Sequence, residues 1–268
     1  ACDPNITTTS IPDDNFEDHL ETNGIGNGIL GDNYIDTANI VNITTLDVQY
    51  DSLSQPFDKI TDLTGIQDFC SLEILDVGYN ALTNLDVSNN HQLKELYAQQ
   101  NIPSATGSVY SITNIDVSGC PLLEKINMEF HHLSSIELID PSTGNAYNPL
   151  LERLILRGGA TSSNLGFQGI SNIDVSKNVN LTHLIIDTNN LQSLDLSNNP
   201  NMVYLDIADN KLSTLNLANG NTANMTFRAN NQAQAYTTGL VVTVDAGYNA
   251  NNGAGFCIAC DANTTYVE

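Results

Sequence analysis

Residues 72–92 read LEILDVGYNALTNLDVSNNHQ, and residues 181–201 read LTHLIIDTNNLQSLDLSNNPN. Aligned, they share LxxLxLxxNxLxxLDLSxNxx, a unit of 21 residues. Within the unit, Leu75-Asp76-Val77 and Leu85-Asp86-Val87 each alternate apolar with polar residues. That is the period of a strand with one buried face. Each unit therefore makes one coil with two short strands on two different faces, its Leu, Ile and Val turned inward. One coil cannot bury such a core alone. Units must stack, and stacking at the ~4.8 Å strand spacing builds two parallel sheets.

The frame runs in both directions. Coils begin at Ile43, Leu72, Leu93, Leu123, Leu151, Leu181 and Met202, with a degenerate eighth near Thr222. Four exceed the 21-residue period by seven to nine residues. Insertions of that kind belong in loops outside the stack. Those at 49–59, 102–111 and 158–169 follow the first strand and are expected to rim one edge of its face. The fourth, at 140–149, follows the second strand.

Asparagines recur where the chain leaves each strand: Asn80, Asn101, Asn189 and Asn210 after the first, and Asn90, Asn178 and Asn199 after the second. A buried amide there can satisfy backbone groups of its own coil and of the next. Cys120 stands at one of these positions and is expected to be a buried structural thiol. His131 stands at another and is expected to be a turn residue rather than a metal ligand.

The doubled half-motif resembles the leucine-rich repeats, in particular the nested 21-residue bacterial type called IRREKO, over about residues 43–231. The opening IPDDNFEDHL (11–20) and the later ITDLTGIQDF (60–69) are similar to secreted flavobacterial surface proteins with such repeats. The resemblance implies a mainly β leucine-rich-repeat solenoid with caps at both ends. It also implies a secreted or outer-surface location and ligand binding on the first-strand face. Such proteins usually end in a sorting domain; none is visible here, which points to a trimmed chain.

A solenoid needs caps, because its terminal coils would expose core. Residues 12–20 read as a short helix with acidic residues at its start and Phe16 and Leu20 on one face. The expected organisation is an N-terminal cap at 1–42, about eight coils at 43–231, and a C-terminal cap at 232–268.

Composition narrows the function. Eight Lys+Arg against 31 Asp+Glu leave a net charge of −23, so nucleic-acid phosphates would be repelled. No apolar run reaches the ~18 residues of a membrane span. A monomer is expected. Of the five cysteines, Cys257 and Cys260 form a single CxxC, which lacks the further ligands of a zinc site and suits a local disulfide or two thiols. Asp32 and Asp36 are weak candidates for a calcium loop, because their spacing misses the EF-hand pattern. Structural calcium aside, no cofactor is expected.

In a repeat protein, uniform positions are mostly architecture and varied exposed positions are free for function. The second-strand face is uniform, with Asp86, Asp116, Glu137, Asp174 and Asp195 in one column. Hydrogen bonding to neighbouring Ser and Asn, or calcium between coils, would offset the repulsion. The first-strand face varies. It gathers Glu95, Tyr97, Lys125, Glu129, Arg153, Arg157, His183, Asp187 and Tyr204, with Phe130 at its edge. Aromatic and Arg side chains on a rigid surface are what recognition uses. These ten are the expected ligand-binding residues, for an extracellular protein or glycan.

No phosphate loop, HExxH or GxSxG is present, so the chain is expected not to be an enzyme. Two alternatives stand beside recognition. One is a spacer within a larger adhesin. The other is a polysaccharide-active enzyme using Arg153 or Arg157 with Tyr97.

Overall fold

The computed structural model describes residues 5–51, 58–101, 112–158, 169–232, 239–248, 257–260 and 263–268. The insertion at 102–111 lies outside them, as do most of those at 49–59 and 158–169.

The Leu-x-Leu signature of each coil becomes a strand of three or four residues with its central apolar side chain buried. Eight of these are β3 (Thr45–Asp47), β4 (Ile74–Asp76), β6 (Glu95–Tyr97), β8 (Lys125–Asn127), β9 (Arg153–Ile155), β10 (His183–Ile185), β12 (Tyr204–Asp206) and β14 (Thr226–Ala229). A ninth, β16 (Cys257–Cys260), follows, and together they form one parallel sheet. The register stacks like on like: Leu46, Leu75, Leu96, Ile126, Leu154, Leu184, Leu205 and Phe227 make one inward column. All eight are buried in a single continuous core. The fold is a leucine-rich-repeat solenoid.

The second face is divided. One part pairs β5 (Asn84–Asp86) with β7 (Asn114–Asp116). The other pairs β11 (Ser193–Asp195), β13 (Thr214–Asn216), β15 (Val241–Thr243) and β17 (Thr265–Val267). Between them, 134–138 and 171–175 form no strand. A bridge between Ile139 and Ala146 and a bond from Tyr147 N–H to Leu138 C=O turn the 140–149 insertion into a small hairpin. Strands β15, β16 and β17 lie within 232–268 and carry both sheets onward.

Asparagine side chains bind the coils together. Asn210 Nδ2 donates to Ile186 C=O of the previous coil and Ile207 C=O of its own, and Oδ1 accepts from Leu191 N–H. Asn80, Asn101 and Asn189 repeat this arrangement, and Gln232 extends it. On the other side, Asn90, Asn148, Asn178, Asn199 and Asn219 donate to carbonyls of the preceding coil. Cys120 takes the same place, its thiol donating to Val87 C=O. Burial, with Asp116 and Asp86 nearby, pushes that thiol up to about 12, so it stays protonated.

At the N-terminal end, α1 (Asp14–Thr22) packs Phe16 against Phe69 of the first coil. Its cap, Asp13, accepts from Phe16 N–H and from the backbone of Thr61 and Asp62. One carboxylate thus starts the helix and fastens it to the solenoid. Two short strands, β1 (Thr8–Ser10) and β2 (Tyr34–Asp36), pair antiparallel beside it. Asp32 and Asp36 do not converge: Asp32 accepts from Asn27 and Tyr34 N–H, while Asp36 ends β2. Cys257 and Cys260 form a local disulfide, and Cys70 is also disulfide-bonded. No helix among the described residues is long and apolar enough to cross a membrane.

Candidate functional site

Strand register sorts the outward side chains of the nine-stranded sheet into rows. One row runs Glu95, Lys125, Arg153, His183, Tyr204, and the next runs Tyr97, Asn127, Ile155, Ile185, Asp206. Glu129, Arg157 and Asp187 follow two residues beyond the strand ends. These side chains are mostly half-buried, because they pack on one another; the paired strands of the second face leave theirs more exposed. The ten residues expected from sequence thus fall on one face, with Phe130 at its margin in a left-handed backbone conformation (φ 61°).

Partnering divides them. Lys125 Nζ donates to the Tyr97 hydroxyl at 2.9 Å and lies 4.5 Å from its ring centroid; that hydroxyl donates to Glu95. Arg157 Nε donates to both Asp187 oxygens at 3.0 Å, and its guanidinium reaches Glu129 at 3.5 Å. Burial works to lower the Arg157 pKa, but the bond and charge of Asp187 outweigh it, so the guanidinium holds its proton more tightly than usual. Six of the ten are therefore engaged with each other.

Arg153 is different. It is exposed, sits in register between Lys125 and His183, and makes no hydrogen bond or ion pair among the described residues. His183 Nδ1 lies 2.9 Å from Thr182 Oγ1, whose single proton goes to Glu152 C=O. With the hydroxyl proton on Glu152 C=O, Nδ1 is the donor and Nε2 of the neutral ring is the acceptor. Burial and the Arg153 charge lower the His183 pKa, which favours that neutral form. The His183 ring is tilted against Tyr204, centroids 6.2 Å apart.

Two further features emerge only in three dimensions. Ile155 and Ile185 are half-exposed side by side in the second row, where the flanking coils place Asn127 and Asp206. Arg228, on β14, bonds the buried Asp206 at 2.8 Å and closes the far end of the patch. Extending the frame to Thr226-Phe227-Arg228 would have found this pair. Burial raises the Asp206 pKa, with the Ala208 N–H and the Arg228 charge opposing it.

The uniform face has a local explanation. Asp86, Asp116, Asp174 and Asp195 each accept the backbone N–H two residues on, at 2.9 Å. Their column is turn architecture.

No protein-family model matches the chain, and no curated protein matches it in sequence. Solved structures do. Internalin C2 of Listeria monocytogenes is 18% identical with a TM-score of 0.52, over 91% of this chain and 100% of that one. A leucine-rich-repeat protein of Leptospira interrogans is 16% identical with a TM-score of 0.53, over 72% of this chain and 50% of that one. The functional domain of InlJ from Listeria monocytogenes is 23% identical with a TM-score of 0.42, over 89% and 61%. The chain spans half the length of the Leptospira protein and under two thirds of the InlJ domain. Fold and repeat together give a leucine-rich-repeat solenoid, similar in architecture to internalin C2.

Proposed function

We propose that this chain is an extracellular bacterial recognition module of the nested 21-residue type, binding a protein partner through the first-sheet face. The observation that carries the reading is Arg153. On a face where Lys125, Arg157 and Arg228 are all partnered, it stays free beside half-exposed Ile155 and Ile185. An unpaired guanidinium beside an apolar strip, ringed by partnered charges, is the anatomy of an interface centre with a polar rim. Tyr204 and the His183 acceptor complete it. The patch suits binding better than catalysis. Tyr97 already donates to Glu95, and Arg157 is held by two carboxylates, so neither serves readily as a base.

The test is binding of the labelled chain to intact bacterial and host cells, with and without prior protease treatment of those cells. Protease-sensitive binding is expected. Arg153→Glu with Tyr204→Ala should lower it at least tenfold while leaving Tm within about 1 °C, since surface changes cost little. Wild-type binding by that variant removes the site; binding that survives protease removes the protein partner.

A further inference from the structure

Away from the sheet face, at its N-terminal edge, lies an open groove of about 550 Å³ lined by Gln49, Tyr50, Asp51, Lys59 and Tyr79. That volume is within the ordinary range of small-ligand sites. Tyr50 and Tyr79 occupy equivalent positions of neighbouring coils: Tyr50 N–H donates to Gly78 C=O, and Tyr79 N–H to Gln99 C=O of the coil after. Their backbones are thus one strand spacing apart, about 5 Å.

Tyr79 holds a costly backbone conformation for an aromatic residue. The position is left-handed (φ 60°), as are Gln100, Phe130, Thr188, Asp209 and Asn231 in other coils, so Tyr79 shares the cost of a ring there with Phe130. Asn or Asp adopts that conformation at little cost, whereas a bulky ring does not. Tyr79 is also exposed, so its ring does not repay the strain by filling the core. A strained, exposed aromatic beside a second aromatic in a groove points to a use for the ring itself.

The groove's chemistry selects the ligand. Lys59 Nζ sits 5.4 Å from the Tyr50 ring centroid, so a cation already occupies one aromatic face and would repel another. A net charge of −23 opposes polyanions. What remains suited to flat rings, an amide, a carboxylate and an ammonium together is a polyhydroxylated ligand with apolar faces. We propose that the groove binds a neutral saccharide. Tyr79 and Tyr50 stack on pyranose faces, and Gln49, Asp51 and Lys59 bond the hydroxyls. This site is separate from the Arg153 patch and does not depend on it.

The experiment uses the whole chain with cellohexaose, maltohexaose and xylohexaose, and a hexagalacturonate as the anionic counterpart. Calorimetry gives affinity, and saturation-transfer NMR shows which sugar protons face the protein. At least one neutral hexasaccharide is expected to bind with a Kd of about 1 mM or tighter, and the galacturonate more weakly. Tyr79→Asn keeps a residue at ease with the backbone. It should weaken sugar binding at least tenfold without lowering Tm, and Tyr50→Ala should weaken it too. Arg153→Glu should leave it unchanged. Failure of all three neutral sugars, or wild-type affinity in Tyr79→Asn, overturns the proposal. So does loss of sugar binding in Arg153→Glu alone, which would move the sugar to the sheet face.

Discussion

His131 shows how one residue can keep the architecture and change its chemistry. It is buried where other coils place a ladder asparagine. Nε2 donates to Leu156 C=O at 3.1 Å, and Nδ1 accepts from Leu133 N–H at 3.0 Å, so the ring must be neutral. Burial is the main cause that lowers its pKa to about 4; the Leu156 carbonyl opposes this and His132 adds to it. An unfolded histidine titrates near 6.5. Between those values the unfolded chain takes a proton that the folded chain refuses. Stability is therefore full above about pH 6.5 and falls as pH drops toward 4, by up to ~3 kcal/mol from this one group. His131→Asn should restore the amide ladder and remove that loss. Comparing urea midpoints at pH 7.5 and 4.5 isolates the effect, because both proteins share the same titrating carboxylates. Midpoints that fall in parallel would show that the ring does not carry the proton linkage.

The strand-and-turn element was legible in the sequence because its rules are local. Two-residue alternation gave β4, β5, β6 and β10 to β12, and the ladder asparagines followed from the same frame. Three things were not legible, each for a non-local reason. The second sheet divides between β7 and β11, and no single-coil pattern signals that. Strand β15 is readable in the run Gly239 to Val244, but β16 and β17 read Cys-Ile-Ala-Cys and Thr-Tyr-Val, without the Leu-Asp signature, and are defined by the coils they stack on. In the site, the ten candidate residues were readable as a face, but which were free was not. Partnering depends on rotamers across coils, and it sets Arg153 apart from Arg157. The Asp-x-Ser turn also makes a prediction. Asp86 and Asp116 lie side by side in paired strands, and carboxylates ~5 Å apart repel by roughly 0.8 kcal/mol even at water's dielectric. Only one oxygen of each is needed for the turn, as Asn216 demonstrates by accepting from Ala218 N–H with its amide oxygen. Asp116→Asn should therefore raise stability by about 0.5–1 kcal/mol at low salt. The gain should shrink toward zero in ~1 M NaCl, where the Debye length is ~3 Å. A variant less stable than wild type at low salt would mean that the carboxylate does more than cap its turn.

At the scale of the molecule, a solenoid is a chain of nearest-neighbour interfaces, and its weakest interface decides where it opens. The first sheet runs unbroken past the candidate site, so β8, β9, β10 and β12 hold Arg153, Ile155, His183, Ile185 and Tyr204 in fixed register. Behind it, the second face offers less. Val87 N–H bonds Asp116 C=O, and Leu196 N–H bonds Asn216 C=O. The corresponding amides of 134–138 and 171–175 donate no backbone hydrogen bond to the described residues. Those two coils still bury Ile136, Leu138, Ile173 and Val175, and Asn148 and Asn178 still bridge to the coil before. They are coupled by core and ladder on one side and by a full sheet only on the other. Hydrogen exchange should register this asymmetry. Amides of 134–138 and 171–175 are expected to exchange well before those of 85–87 and 194–196, while 126–128, 154–156 and 184–186 stay protected. The rear of the two central coils would then open without disturbing the binding face, as a rigid recognition surface requires. Equal protection on both faces of these coils would instead mean that core packing alone sets the opening free energy and that the break in the second sheet has no mechanical consequence.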